Sequence, residues 1–597
     1  MPDLKQLPAH LIGGNFLLTE TDPCLVFTPE ELSSEQRLMA QTAEKFMEKD
    51  VLPNIEALEH QEEGLALKLF RQAGELGFLA MGVPAEYDGL GLGRTSTVAV
   101  EEQLTRLGGF GVTCGAHRGI GTMPLHYFGT EAQKKRYLSK LASGEWMAAY
   151  ALSETGSGSD ALGLRTKATL SPDGKHYLLN GTKMWISNAG WADLFTVFAK
   201  VDGQVTAFLV ERNFPGVSFG KEEHKLGIKT SSTRRVILED AKVPVENLLG
   251  AVGKGAYIAF NILNIGRFGL GAGAIGGAKE SLKVATRYAL ERSQFGRPIA
   301  SFGLIQQKLA DMATRIFAAE SAVYRTASMM DAVQETGEMM DSTPPFPRSL
   351  DEFALECSII KVACSEVLDD VADETLQIHG GYGYTEEFPA ARSYRDSRIN
   401  RIFEGTNEIN RLFIPGLLMR RAQRGRFPLV QAITKVSKEL LDMPPLEESS
   451  SDELVNAQKL LANAKKLVLF VSGVAFQKYG EKMGDEQEVM ASLSDMIIEV
   501  YLGESALLRT QKNRKLNGGS SAMSDLTMLF VNESVGKLEL LSKSALAAIS
   551  DGDELRAQLG IVRRLLRWSP LNAVALRRKI AKRLCEVGTF SALVTVK

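Results

Sequence analysis

The chain has 597 residues, 44% hydrophobic and 24% charged, with a formal net charge of −3. At roughly 150 residues per domain this length predicts three or four domains, and the composition argues against extensive disorder. The weak negative charge offers no general attraction to nucleic acid, and five scattered cysteines without a CxxC pair indicate neither a metal site nor a disulfide framework, which fits a reducing compartment.

The first residues, MPDLKQLPAHLIGG, carry no secretory or transit pattern, so residues 1–29 read as a short leader and the chain is expected to remain in the cytoplasm. Residues 30–148 come next as helices, opened by the cap-like SSEQ before an apolar run at helical spacing. Residues 149–249 turn to short β-rich runs such as LFTVFAK and VTAFLVE, separated by Asn-Gly and Asp-Gly turns.

Residues 250–425 return to long helices, with a proline-containing loop over 334–350. Its apolar stretch from Ala256 to Ala278 is broken by Asn261, Asn264 and Arg267, which argues against a membrane-spanning helix. Residues 426–453, with MPPLEESSSD, read as a linker, and 454–597 as a further helical domain. The fold class is therefore mostly α with a central β domain.

Gly271-Ala-Gly273-Ala-Ile-Gly276 matches the dinucleotide pattern GxGxxG, yet it lies inside a continuous helical run instead of between a strand and a helix. Close helix packing through small residues is the expected role.

Three segments carry chemistry. YALSETGSGSD, residues 150–160, combines hydroxyls with glycines that let backbone amides approach a ligand's polar atoms, although a plain loop has the same composition. NGTKMWISNAG places Trp185 and Ser187 at a strand end, where an aromatic face could shield a flat ring or simply fill a core. IFEGTNEINR, residues 402–411, offers Glu404 as a base, or the start of an ordinary turn.

With ALERSQFGRPI, QIHGGYGYTEEFP and RDSRINR, these segments resemble the acyl-CoA dehydrogenase family over about residues 30 to 425. The resemblance implies a helical domain, a β-barrel-like domain and a four-helix bundle, here with an added C-terminal helical domain, and FAD held between the last two family domains and across a subunit interface. It assigns Tyr150, Leu152, Ser153, Gly158, Ser159, Trp185, Ile186 and Ser187 to the flavin ring and ribityl chain, with Ser187 donating towards flavin N5. It assigns Arg292, Phe295, Gln377, Gly380, Gly381, Thr406 and Glu408 to the pyrophosphate and adenosine, some reaching the neighbouring subunit's cofactor. Arginine suits that role because its planar fork pairs with phosphate oxygens.

The resemblance makes Glu404 the base that removes the α-proton of an acyl-CoA thioester, polarised by the backbone N–H of the same residue. Exclusion of water would raise its pKa. Some branches of the family carry the base at the position of Gly266, where this chain has no carboxylate. Asn264 and Arg267 match ligand-facing positions, Ser159 the CoA arm, and Gly405 leaves room for the thioester. NILNIGR, FGLIQQKLADM and the C-terminal extension are most similar to the very-long-chain branch, and Gly115 and Gly119 would open a deep acyl channel, or permit tight helix packing.

The activity implied by the resemblance is oxidation of long-chain acyl-CoA to trans-2-enoyl-CoA in fatty-acid β-oxidation, with electrons passed to an electron-transfer flavoprotein, by a homodimer. An acyl-CoA oxidase and a flavin-binding assembly protein of the same fold are the rivals. RGRFPLVQAITKVSKELL, RRLLRW and LRRKIAKRL read either as peripheral membrane contacts or as basic solvent-facing helices.

Overall fold

A computed structural model describes residues 7–340, 342, 345–441, 450–518 and 520–595. The first helical layer comprises α1 (Ser34–Phe46), α2 (Ile55–Glu59), α3 (Leu65–Glu75), α4 (Arg94–Leu104), α5 (Gly108–Ala116), α6 (Met123–Phe128) and α7 (Glu131–Ser143). Helix α1 begins where SSEQ suggests. Ser33 and Gln36 form a reciprocal capping box, with Gln36 N donating to Ser33 Oγ at 3.1 Å and Ser33 N to Gln36 Oε1 at 2.9 Å.

The central domain is an eight-stranded sheet among the described residues, built from β1 (Ala148–Ala151), β2 (Lys167–Leu170), β3 (His176–Ser187), β4 (Leu194–Val201), β5 (Gln204–Glu211), β6 (Val217–Phe219), β7 (Thr233–Pro244) and β8 (Leu248–Leu249). The strand order is β6-β7-β3-β2-β4-β5-β8, with β1 pairing in parallel beside β4. Strand β4 is nearly all buried, as a central strand covered on both faces should be. The β3–β7 ladder shifts register between Lys183 and Ile186, so a bulge falls on Met184 and Trp185.

Helix α8 (Gly255–Glu291) then runs the length of the bundle, and after it come the small hairpin β9 (Ser293–Gln294) and β10 (Arg297–Pro298), then α9 (Gly303–Glu335), α10 (Arg348–Glu352), α11 (Ala354–His379), α12 (Pro389–Arg398) and α13 (Asn407–Gln423). By length and apolarity α8 would suffice to cross a membrane, but most of its apolar window is buried inside the bundle.

The glycines of the GxGxxG match explain how α8 packs so closely. A Cβ at Gly271 would lie 2.9 Å from the carbonyl oxygen of Ile360 on α11, and one at Gly273 would lie 2.8 Å from Thr105 Cγ2. At Gly276 it would run into the Glu102 carbonyl oxygen and the Thr105 hydroxyl. These are helix-contact glycines, with no strand before them.

Residues 429–441, inside the span expected as linker, form helix α14 (Leu429–Leu441). The correction has a local cause: Val436 is buried, and Gly473 of α15 (Glu453–Tyr479) leaves the space that Ile433 enters. Residues 442–449 of the expected linker lie outside the described residues. The C-terminal domain continues with α16 (Gln487–Asn517), α17 (Ser521–Ile549), α18 (Gly552–Leu565), α19 (Ala573–Val587) and α20 (Phe590–Val594).

The leader is part of the packed structure. Phe16 and Leu17 are buried, and the backbone N–H groups of Gly13 and Gly14 donate to Glu352 and Glu356 at 3.0 and 2.6 Å. Just past the leader, Glu30 is joined to the bundle through Arg509 on α16, 1% exposed, which pairs with Glu30 at 2.5 Å and with Glu320 at 2.6 Å.

A glycine-to-alanine change at a free helical position gains about 1 kcal/mol. Gly276→Ala should reverse that sign and cost about 1–3 kcal/mol through overpacking against α4. Thermal denaturation of the variant beside wild type checks it, and a stabilised variant would contradict the close contact.

Candidate active site

Glu404 stands in the turn between α12 and α13 with φ of +58°, and Gly405 after it has φ of +82°. For glutamate that left-handed conformation costs about 1–2 kcal/mol and persists only where surroundings enforce it. Three side chains do so through the carbonyls of the turn. Arg267 Nε donates to Glu404 O at 3.2 Å, Lys361 Nζ donates to Gly405 O at 2.7 Å, and Asn410 Nδ2 donates to Gly405 O at 2.8 Å and Thr406 O at 3.0 Å. Thr406 caps α13, its Oγ1 accepting from Ile409 N at 3.3 Å.

The consequence is the direction of the carboxylate. It lies against α8 at Gly266, where a Cβ would come within 2.5 Å of Glu404 Oε2 and 2.7 Å of its Cδ. The glycine that lacks the alternative base is also the space that the present carboxylate uses. Oε2 is buried and has no hydrogen-bond partner among the described residues, although the residue as a whole is half-buried.

Burial pushes the Glu404 carboxyl up to about 7, against the opposing pull of Arg267 and Lys361. Burial likewise brings the Lys361 ammonium down to about 7. Arg267 is lowered by burial and supported by Glu404, with its Nη1 donating to Asn264 Oδ1 at 3.1 Å and its guanidinium 5.0 Å from the Phe413 ring centre.

Lys361 is a site residue that the motifs do not reveal. Its only signal in the sequence is an isolated cation in the apolar run CSIIKVAC. Its amine also donates to Asn407 Oδ1 at 2.6 Å.

The β side of the site is held by a second buried charge. Lys183 Nζ pairs with Glu154 Oε1 at 2.8 Å and donates to Leu152 O at 3.1 Å. Glu154 also accepts from the backbone N–H groups of Arg165 and Thr166 at 2.6 and 3.0 Å. This locks the 150–160 loop to β3.

At the bulge Trp185 takes φ of +57° and is 57% exposed, which rules out the core-filling role. Asn188, at φ of +66°, turns the chain back, with its side chain donating to Thr113 O at 3.0 Å.

One cavity of about 510 Å³ receives both sides. Tyr150, Leu152, Ser153, Gly158, Ser159, Trp185, Ile186 and Ser187 line it from the β domain, and Gly115, Gly119, Arg267, Glu404 and Gly405 from the helices. Asn264 does not. Its Nδ2 donates to Leu350 O at 3.1 Å and its Oδ1 serves Arg267, so it supports the ligand-facing arginine from behind. Gly115 lines the cavity beside Glu101, whose Oε1 is 3.3 Å from where a Cβ would sit. Gly119, by contrast, is open on all sides within 4 Å.

Arg292, Phe295, Gln377, Gly380, Gly381, Thr406 and Glu408 lie outside this cavity's lining. Several form a separate exposed surface. The two-residue loop of the β9–β10 hairpin, Phe295 and Gly296, has positive φ at both positions and presents Phe295 at 94% exposure. Arg292 sits 5.4 Å from the ring centre of Tyr382, the residue after Gly380 and Gly381.

The residues fit a flavin. A Cβ at Gly158 would meet nothing within 4 Å, Trp185 offers a free aromatic face, and an unpaired carboxylate oxygen faces the same space.

A carboxyl raised from 4.5 to about 7 on folding makes the folded state hold the proton more tightly, so its contribution to stability falls as pH rises from about 4.5 to 7. Glu404→Gln should therefore melt higher than wild type at pH 8, with the gain vanishing near pH 4.5. A gain equal at both pH values in differential scanning calorimetry would contradict the buried-carboxylate account.

Family profiles match along the whole arrangement: "Acyl-CoA dehydrogenase, N-terminal domain" at 33–145, "middle domain" at 149–241, and two "C-terminal domain" profiles at 253–416 and 463–564. A probable acyl-CoA dehydrogenase of Bacillus subtilis is 46% identical over 97% of this chain and 98% of its own length. The human mitochondrial very long-chain specific acyl-CoA dehydrogenase is 42% identical over 69% of this chain, which spans 61% of that relative. A crystal structure of an acyl-CoA dehydrogenase complexed with FAD from Bacillus anthracis superposes with a TM-score of 0.94 at 47% identity, covering 98% of this chain and all of that one. The geometry of the site and these likenesses agree: the chain belongs to the acyl-CoA dehydrogenase family, oxidoreductases that use FAD.

Proposed function

We propose that the chain oxidises long-chain acyl-CoA to trans-2-enoyl-CoA in fatty-acid β-oxidation, passing electrons to an electron-transfer flavoprotein and working as a homodimer. The observation that carries the chemistry is the Glu404 carboxylate, buried, unpaired and opening onto the cavity that Trp185 and Ser187 also line. The long-chain reading draws support from the very long-chain specific relatives and from the cavity's extension past the base to Gly119.

The acyl thioester would lie beside Gly405, whose missing side chain admits it. The backbone N–H of Glu404 would polarise the thioester carbonyl, which acidifies the neighbouring C–H. Glu404 then takes the α-proton, and its raised pKa makes it a stronger base than an exposed carboxylate. Bound FAD supplies the acceptor for the hydride that leaves the β-carbon. Trp185 and Ser187 would orient the ring, and Ser153, Gly158 and Ser159 the polar atoms next to it. Lys361 and Arg267 keep the turn from relaxing, so the carboxylate stays aimed. The exposed Arg292, Phe295, Gln377, Gly380 and Gly381 surface suits the cofactor of a second copy.

Anaerobic mixing with palmitoyl-CoA should bleach the flavin of wild type. Glu404→Gln should bind flavin and acyl-CoA yet lose about 1000-fold in bleaching rate, the middle of the roughly 100- to 10,000-fold gain that one general base provides. Normal turnover by that variant would remove Glu404 from the mechanism. Because the base must be ionised, kcat/KM should rise with pH through about 7, the folded value of Glu404. A flat profile across that value would contradict it. Electron acceptance by a purified electron-transfer flavoprotein, with little peroxide formed in air, is the expected outcome of the acceptor assay.

A further inference from the structure

The acyl-binding cavity carries a buried ion pair, Glu101 with Arg118, that neither the proton transfer nor the hydride transfer uses. Both side chains are buried, both line the cavity, and Arg118 Nη1 also donates to Phe78 O at 3.3 Å. Glu101 lies on α4 beside Gly115. Its Oε1 is also 3.6 Å from where a Cβ would stand on Gly273 of α8.

Helix α8 gives the scale. Gly266 faces the Glu404 carboxylate and Gly273 faces Glu101, so the two carboxylates meet the same helix seven residues apart. Seven residues are two turns on one face, about 10 Å along the axis. An extended acyl chain advances roughly 1.3 Å per carbon, given bonds near 1.5 Å. Counted from the α-carbon held at Glu404, a straight chain reaches the ion pair at about its tenth carbon.

We propose that the Glu101–Arg118 pair is the chain-length discriminator of this cavity, the point beyond which added methylenes run over charge instead of apolar wall. This inference rests on the acyl-CoA dehydrogenase reading of the site. The pair cannot step aside cheaply, because separating buried partners leaves an uncompensated charge. A longer chain must therefore pass it towards the open side at Gly119, where among the described residues a Cβ would meet nothing within 4 Å beyond its own stretch of chain. Methylenes buried on apolar wall are worth about fourfold each in affinity. Those lying over the pair gain less, so kcat/KM should climb steeply with length to about C10 and flatten beyond it.

The test is the ratio of kcat/KM for octadecanoyl-CoA over decanoyl-CoA, measured on FAD-loaded enzyme. In the double variant E101L/R118M, which removes both charges and keeps apolar bulk, the ratio should rise about tenfold or more, the yield of two or more restored methylene contacts. E101Q/R118Q, closer in shape, should raise it in the same direction and serves where the first variant does not retain FAD. A ratio that stays within about twofold of wild type, or falls, in a variant with wild-type flavin content overturns the discriminator, since even one restored methylene contact exceeds that change. If wild type itself oxidises no acyl-CoA of any length, the proposed function fails first. If wild type is active and the ratio is unmoved, only the role of the ion pair fails.

Discussion

A carboxylate pressed against a glycine is the constraint around which the molecule is arranged. Glu404 can face the cavity only because Gly266 has no side chain and because the turn that carries Glu404 is kept in a conformation glutamate disfavours. The clamps come from three different helices: Arg267 on α8, Lys361 on α11 and Asn410 on α13. The base is therefore as well positioned as the packing of those helices permits. That packing is close because Gly271, Gly273 and Gly276 let α8 approach α11 and α4 to contact distance.

The electrostatics derive from the same arrangement. Two cations near one carboxylate would ordinarily hold its pKa low, yet burial outweighs them and the carboxyl rises to about 7. Arg267 and Lys361 direct their hydrogen bonds to backbone carbonyls of the turn and to the amide oxygens of Asn264 and Asn407, so they fix the geometry while leaving Oε2 unpaired. A direct ion pair would have stabilised the carboxylate and weakened it as a base.

The β face uses a comparable device. The buried Lys183–Glu154 pair anchors the hydroxyl- and glycine-rich loop, and the bulge at Trp185 turns an indole that would otherwise join a ladder position out to the cavity. Farther away, Arg509 with Glu30 and Glu320, and Lys512 with Glu31 at 2.6 Å, join the start of the first helical domain, the bundle and the C-terminal domain through buried or half-buried charge. Such pairs act more as registers than as net sources of stability, since breaking one strands a charge in the interior.

Contiguous stretches are legible in the sequence: the order of helical and β-rich segments, IFEGTNEINR with its base, YALSETGSGSD with its loop, and the family these motifs resemble. They are legible because periodicity, turn chemistry and motif spacing are local along the chain. Which residues meet across the chain is decided by the fold. Lys361 is a stray cation in the sequence until α11 brings it to Gly405, Asn264 reads as a ligand contact until its amide is committed to Arg267 and Leu350, and nothing in the sequence tells that Glu101 comes to lie beside Gly115. The sequence alone determined which residues could do the chemistry, because identity and spacing are written in it. Tertiary structure alone decided which of them face the cavity and at what pKa, because burial and the meeting of partners far apart in the chain exist only once the helices have packed.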